Sequence, residues 1–441
     1  MQRSSDDQGD LPVARTAGAS MCRQSVMPCL AKSPTPAQRS LPDLAARLAV
    51  LPDPRDRRGR RHSLVSVLLT ACAAVLTGAK SFTAVGQWAA AAPQDALARL
   101  GARTATAFSI RIPPSTATLR RVINIVCPGG LADLLGATPA GPTTVAVDGK
   151  TARGSRTDTG TAVHLLSALS GDGQVISQLP VPDKTTEVTA FAPLLDPFDL
   201  TGAVITADAL HTTRDQARYI VQDKRAHYFL VVKANQPTLR AVLKSLPWKQ
   251  CREVSYDRTR GHGRKETRSV RALTITDLDL GYPFAVQAVK LLRHRTDLKT
   301  GKVTRQTVYA VTDMPSHQAR PTCLNKIARS QWGIEAVHHI RDTTFAEDAS
   351  KIRSGHGPAN MATIRNLAIN TLRSAGHRSI AAALREVSYT PFTHPLDLLK
   401  LPWPATIPAP SDFESALVSS RPDRDRAGRS GRAWPRVDRL E

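Results

Sequence analysis

The sequence predicts a mixed α/β chain, an α/β region with a β-rich insertion preceded by an all-α module. Three observations carry this expectation. Residues 41–135 divide into apolar helical stretches opened by capping residues, without strand-like runs. From residue 141 short apolar runs alternate with helical ones in the order βββαβαβα. Two of those runs end in an acid: Thr143 to Val147 leads into Asp148, and Ala203 to Ala207 leads into Asp208.

Taken in order, residues 1–40 are rich in Ser, Asp, Gln, Pro and Arg without periodicity and are expected to be a disordered extension. Met21 and Met27 leave open a later start. A short helix begins at Leu41-Pro42-Asp43-Leu44, and a basic loop follows from Pro52 to Arg60. Ser63 caps a buried helix ending near Gly78, a second helix covers Phe82 to Leu97, and Pro114-Ser115-Thr116 opens a third through Cys127. The basic loop and Arg120-Arg121 of this all-α module suit contact with phosphates.

Beyond Gly141, Thr143 to Val147 is the first strand. Val163 to Leu169 and Gln174 to Val181 flank Ser170-Gly171-Asp172-Gly173, a hairpin turn. Helices are expected over 186–195, 212–224 and 236–246, with strands over 203–207 and 228–233 between them. With acids on strands one and four, this is the order of a ribonuclease-H-like fold. Alternating runs at Arg268 to Ile275, Phe284 to Arg293 and Thr307 to Thr312 form the β-rich insertion, at about 247–313. Helices over 323–342 and 360–385 close the α/β region (141–385), and 409–441 is expected to be a disordered basic tail.

Composition narrows the partners. The chain has 441 residues, with 60 Lys and Arg against 37 Asp and Glu, a net charge of +23. Such a field favours polyanions, and the positive charge persists mid-chain from Arg258 to Arg271, which argues for a nucleic acid. Six scattered cysteines with no CxxC pair give neither a zinc site nor a disulfide framework, as suits a reducing compartment. The longest apolar stretch, Leu64 to Leu76, falls short of the roughly 20 residues that span a bilayer. A soluble, intracellular protein is expected.

The chemistry rests on three acids far apart in sequence: Asp148, Asp208 and Glu335 in Gln331-Trp332-Gly333-Ile334-Glu335. Acids at strand ends reach the rim where ligands of α/β sheets collect. Three meeting there could hold two Mg²⁺ ions, with Mn²⁺ able to substitute, for phosphoryl transfer. Glu335, His339 and Asp342 share a helix face, and Asp342, Glu347 and Asp348 compete with Glu335 for the third place. Any one of these acids alone reads best as a solvated strand-end or helix acid. Lys150, Arg153 and Arg156 follow Asp148 and suit phosphates, as does Lys184. Lys233, Asn235 and Gln236 lie at the end of strand five, on the same rim. His262, Arg264 and Arg268 belong to a basic loop that suits a DNA backbone, with a solvated charged loop as the plainer alternative.

On these residues the chain resembles the DDE-type insertion-sequence transposases of the ISAs group, related to H-repeat-associated proteins. The resemblance runs from about Leu41 to Arg385 through Leu51-Pro52-Asp53-Pro54-Arg55, Ala146-Val147-Asp148-Gly149-Lys150, Thr206-Ala207-Asp208-Ala209-Leu210-His211 and Val232-Lys233-Ala234-Asn235-Gln236. It continues through His262 to Arg268, Trp332-Gly333-Ile334-Glu335 and Phe345-Ala346-Glu347-Asp348. It implies a Mg²⁺-dependent ribonuclease-H-like domain with the triad Asp148, Asp208 and Glu335. Such an enzyme cuts double-stranded DNA at its element's ends and joins the 3′-hydroxyls to target DNA, as a homo-oligomer on paired ends. Many relatives carry Tyr, Arg and Lys around the final Glu for a hairpin step. Ala328, Gln331 and Asp342 stand in those places here, so that step is not carried over. The alternatives are a DNA-binding relic or inhibitor without catalysis, and a nuclease of the same fold without strand transfer.

Overall fold

A computed structural model of the chain describes residues 34–403, apart from 106–109, 140–143, 159, 182–186, 252, 262 and 276–279. The tail expected at 409–441, and the extension expected at 1–40 up to residue 33, lie outside the described residues. Residues 34–40 differ from the expectation. Thr35 and Gln38 form a capping box over a single helical turn, α1 (Pro36–Arg39).

The N-terminal module is built largely from capped helices. Asp43 caps α2 (Leu44–Ala49), Ser63 caps α3 (Leu64–Leu76) and Ser81 caps α4 (Phe82–Ala91). The single helix expected from Phe82 to Leu97 is two. Ala92 is extended and Pro93 has no N–H to continue the ladder, so α5 (Gln94–Arg99) starts anew. A small hairpin, β1 (Thr104–Ala105) with β2 (Ile110–Arg111), interrupts the all-α pattern. Ser115 caps α6 (Thr116–Ile125), and Pro128 in a first turn opens α7 (Pro128–Leu135), a helix the sequence reading passed over.

The remainder is mixed α/β, as the alternation of strands and helices predicts. Its strands are β3 (Thr144–Thr151), β4 (His164–Ser170), β5 (Val175–Val181), β6 (Val204–Ala207), β7 (His227–Val232), β8 (Val254–Gly261), β9 (Arg264–Thr274), β10 (Gln287–Asp297) and β11 (Val303–Thr312). They form one nine-stranded sheet in the order β5-β4-β3-β6-β7-β11-β10-β9-β8. β3, β6 and β7 are parallel; β4 pairs antiparallel with β3, and β5 antiparallel with β4, so β4 alone of these five strands runs the opposite way. The turn between β4 and β5 places Gly173 at φ 87°, a left-handed conformation that suits glycine. The β-rich insertion is not a separate body. β11 pairs antiparallel with β7, so the insertion extends the same sheet by four strands.

Helices cover both faces. α8 (Glu187–Leu195) and α10 (Pro237–Ser245) bury Phe191 and Leu243 with Val145, Val147 and Ile205 on one face. Between them lies α9 (Arg214–Arg218), where the expected long helix is instead a short one running into a π turn at Tyr219–Asp223. The opposite face carries α11 (Pro321–Thr343), whose Ile334 and Val337 join Ala146 and Leu169. The stretch expected as one helix over 360–385 is α12 (Gly357–Ser374) and α13 (Ile380–Tyr389), broken where Gly376 takes φ 89°; α14 (His394–Leu398) follows. These last helices share a core with the N-terminal module: Leu68, Val75 and Val122 belong to one buried cluster with Ile364, Leu372 and Leu384.

A buried ion network ties α11, α12 and β5 together. Arg341 and Arg365 both grip Glu347, at 2.6 and 3.0 Å, and Arg341 also donates to Gln178 at 3.1 Å. Burial alone would raise the Glu347 carboxyl, yet the two guanidinium groups hold it at about 2. Removing one partner of such a network strands buried charge, so Glu347→Ala should cost about 3–5 kcal/mol in equilibrium denaturation. Unchanged stability would show that the network does not hold these elements.

Candidate active site

The parallel ladder between β3 and β6 ends with Val147 beside Ala207. The next residues on the two chains are Asp148 and Asp208, which the register therefore sets side by side. Asp148 lies inside its strand and not at the strand's end as expected, because β3 stays paired with β4 as far as Thr151. Side chains alternate across a sheet. Val145, Val147, Ile205 and Ala207 point into the core beneath α8, whereas Ala146 packs on the α11 side. Asp148 and Asp208, in step with Ala146 and Thr206, thus face α11.

Helix α11 is fastened at this point. Gln331 Nε2 donates to the carbonyl oxygen of Val147 at 3.1 Å, and the Thr206 hydroxyl donates to Gln331 Oε1 at 2.5 Å. One amide thus bridges the two strands, at Val147 of the ladder-end pair and at Thr206, two residues before the second acid. Glu335 follows four residues later, on the same helix face. Gly333 lets the helix lie close: a Cβ there would stand 3.2 Å from the Leu169 side chain. Asp148, Asp208 and Glu335 line one cavity of about 380 Å³, together with Lys233, Gln331 and Trp332. Among the described residues no three Asp, Glu, His or Cys side chains form a closed metal-binding group, so the acids share the cavity without being drawn together.

The electrostatics are uneven. Burial pushes the Asp148 carboxyl up to about 7; the Gly149 N–H opposes this, and the nearby Asp208, Glu335 and Glu187 carboxylates add to it. Burial would also raise Asp208, but the Lys233 ammonium, 2.7 Å away, and the Ala209 N–H hold it below the usual carboxylate range. Behind Asp148, Glu187 sits between His164, with which it shares a short hydrogen bond, and His211 at 3.4 Å. Burial works against its ionisation, but these rings hold it at about 2. Gly149 explains itself here, since a Cβ would meet both Glu187 Oε1 and His164 Nε2 at 2.6 Å. His338 Nδ1 stands 3.5 Å from Asp148 Oδ2, and burial drives that ring down to about 3, so it is neutral.

The competing acids lie elsewhere. Asp342, Asp348 and Glu347 surround the Lys150 ammonium at 2.7, 3.6 and 3.9 Å. Lys150 is therefore buried in ion pairs and does not offer the phosphate grip expected of it. Asn235 and Gln236 also differ from expectation: their amides donate to the Ala209 and Thr212 carbonyls at 2.5 and 2.9 Å, fixing the loop after Asp208. Lys233 and Arg268 do line the cavity. Arg268 stacks 4.0 Å from the Trp332 ring and Arg293 lies 4.6 Å from it, with Glu266 paired to both. Arg153 and Arg264 are exposed, and Lys184 and His262 lie outside the described residues. The sequence reading passed over the roles of Trp332, Arg293 and His164. The only signal for Gln331 was that it departs from a family pattern.

The raised Asp148 carboxyl gives a pH prediction. The folded chain keeps that proton up to about pH 7, whereas an unfolded carboxyl loses it near 3.8. The native state therefore binds more protons across that window, and stability falls as pH rises through it. Asp148→Asn removes this burden, so its melting temperature in EDTA should gain on the wild type between pH 4 and pH 8. A gap that is constant with pH would contradict the buried, uncompensated carboxyl.

Residues 139–371 match the family described as "Transposase DDE domain", and residues 45–137 match the family described as "DDE_Tnp_1-associated". The chain is 32% identical over 246 residues to YncI of Escherichia coli O157:H7, whose name assigns it provisionally as a transposase. That match covers 52% of this chain and 61% of the relative, so the chain spans less than two thirds of it. YbfL and the H repeat-associated YhhI of Escherichia coli (strain K12) are each 27% identical over 350 residues, 75% of this chain and 90% of theirs. YhhI, too, is provisionally named a transposase. A weaker likeness, at 11% identity and a TM-score of 0.38, is to the piggyBac transposase synaptic complex with hairpin DNA, over 93% of this chain and 88% of that one. With the DDE-domain match extending over more than half of its length, the chain belongs to the DDE transposases.

Proposed function

We propose that this chain is an active transposase that cuts DNA at the ends of its element and joins the freed 3′-hydroxyls to target DNA. The observation that carries this reading is the convergence of Asp148, Asp208 and Glu335 on one cavity through a shared ladder end and a fastened helix. The strand order β5-β4-β3-β6-β7, with β3, β6 and β7 parallel, supports a ribonuclease-H-like core beneath that site.

The donor set suits Mg²⁺. Three carboxylates provide hard oxygen ligands, and the Asp148 carboxyl is raised first by burial and further by the nearby Asp208, Glu335 and Glu187 carboxylates. Asp148, Asp208 and Glu335 would hold the ion, with Mn²⁺ able to replace it. When bound, Mg²⁺ would supply an activated water and neutralise charge at the scissile phosphate. The protein's own groups do the rest. Gln331 sets the height of Glu335 above the strands, neutral His338 backs Asp148, and Lys233 keeps Asp208 ionised. Arg268 and Arg293, braced on Trp332, present positive charge on the cavity's far wall. Double-stranded DNA is the partner, both as element ends and as target, bound by a homo-oligomer.

The test is Mg²⁺-dependent cleavage of DNA bearing both flanks of the protein's own gene. Wild type should nick at the element ends, while Asp208→Asn should bind equally and not nick. Equal cleavage by both proteins would discard the site. Binding without nicks by either would indicate a DNA-binding relic, and nicks without joined products a nuclease. Gln331→Ala should keep DNA affinity and lose about 10²-fold in cleavage rate, the scale expected when a catalytic group is misplaced by about 1 Å. A wild-type rate would remove the clamp from the account.

A further inference from the structure

A second cavity, of about 540 Å³, opens where the N-terminal module meets the α/β region. Arg120 on α6 lines one side, and Lys351 and Arg353 in the loop before α12 line the other. No carboxylate lines it, and among the described residues neither Arg120 nor Lys351 has an ion-pair partner. Arg353 makes a long hydrogen bond, 3.4 Å, to the Gly154 carbonyl. Three exposed basic side chains thus gather around one hydroxyl-lined hollow with no carboxylate among its lining residues.

The floor adds polarity of the same sign. Phe82 and Thr83 are the first two residues of α4, and Thr116 and Ala117 the first two of α6, and all four line the cavity. Ser81 and Ser115 accept from the third N–H of each helix, which leaves the first two of each without an intrahelical acceptor. Two ten-residue helices thus direct their positive ends into the same hollow as the three cations.

The cavity is also connected to the candidate active site. Arg353 touches Gly154, in the turn that directly follows the strand bearing Asp148, and the backbone N–H of Arg153 in the same turn donates to Asp348 at 3.2 Å. Arg153, Arg353, Lys351 and Arg120 therefore form a basic path from the end of β3 to the N-terminal module.

We infer that this cavity seats a phosphodiester of the DNA duplex that is cut at the acid-lined cavity, so that module and α/β region grip one substrate together. The inference rests on the transposase reading and deepens it by assigning a backbone contact outside the acid-lined cavity. Contacts of this kind fix register and carry little sequence information.

The experiment uses the full chain and a duplex of its gene's own flank, with affinity measured by fluorescence anisotropy over a range of salt concentrations. The pair Arg120→Ala with Lys351→Ala should weaken binding and make the slope of log K against log salt shallower by about one to two units. Both side chains are exposed, so the fold should survive; Lys351→Glu alone provides a second variant and should weaken binding further than Lys351→Ala. Arg378→Ala with Arg385→Ala, an equal charge change on and beside α13, should leave the slope unchanged. A pocket pair that keeps the wild-type slope, or a control pair that lowers it as much, overturns the seat. Inorganic phosphate titrated alone separates the two sources of this chemistry. Saturable phosphate binding that the pair abolishes, with duplex binding intact, would mark a free-phosphate site and overturn the DNA seat. A wild type that neither binds the duplex nor nicks it refutes the transposase reading itself. A wild type that does both beside an unaltered pocket pair refutes only the seat.

Discussion

The register of one short parallel ladder organises this molecule. β3 and β6 share only the four pairings from Thr144 to Val147, but the last of them decides which side chains become neighbours. A shift of one residue in either strand would turn its acid into the apolar core beneath α8 and bring Val147 or Ala207 up in its place. Such a shift is opposed from both faces. Val145, Val147, Ile205 and Ala207 are fully buried on one side, and on the other the Gln331 amide spans both strands. The position of Glu335 is a consequence of the same contact, since it lies one helical turn from that amide.

Around this frame, charge is handled in two different ways. Carboxylates that brace the fold sit in close pairs: Glu187 between two histidines, Glu347 between two arginines, and Asp342 with Asp348 around Lys150. The acids facing the cavity have fewer partners. Asp208 has one exposed lysine, and Asp148 has a neutral histidine and three repelling neighbours. Under the proposed function, a cation would act at this less compensated group. The basic groups follow the same division. Lys150, Arg341 and Arg365 are consumed inside, whereas Arg120, Lys351 and Arg153 face outward.

Much of this was legible in the sequence, and the parts that were not have physical causes. The hairpin at Gly171-Asp172-Gly173 and the apolar runs before Asp148 and Asp208 announce themselves because turn chemistry and burial leave local traces. Pro93 split a helix that apolar content alone suggested was continuous. Strand β8 went unread because its residues, among them Asp257, Arg258 and Arg260, are mostly solvent-facing and lack an apolar run. Side-chain partners were the least legible. Lys150, Asn235 and Gln236 have the right chemistry for phosphate, but the fold brings Asp342 and the Ala209 and Thr212 carbonyls to them first. Gln331 likewise shows only a donor and an acceptor, and its two strand partners exist only once β3 and β6 are paired.

The central claim is that the three acids, and not the Lys150-centred group of Asp342, Glu347 and Asp348, form the cation site. It is tested most directly by titrating Mn²⁺ into the full chain, followed by electron paramagnetic resonance, with Glu335→Gln and Asp342→Asn measured beside the wild type. The account predicts saturable binding by wild type and Asp342→Asn, with binding by Glu335→Gln weakened at least tenfold, the scale of about 1.4 kcal/mol. Undiminished binding by Glu335→Gln together with loss in Asp342→Asn would contradict it.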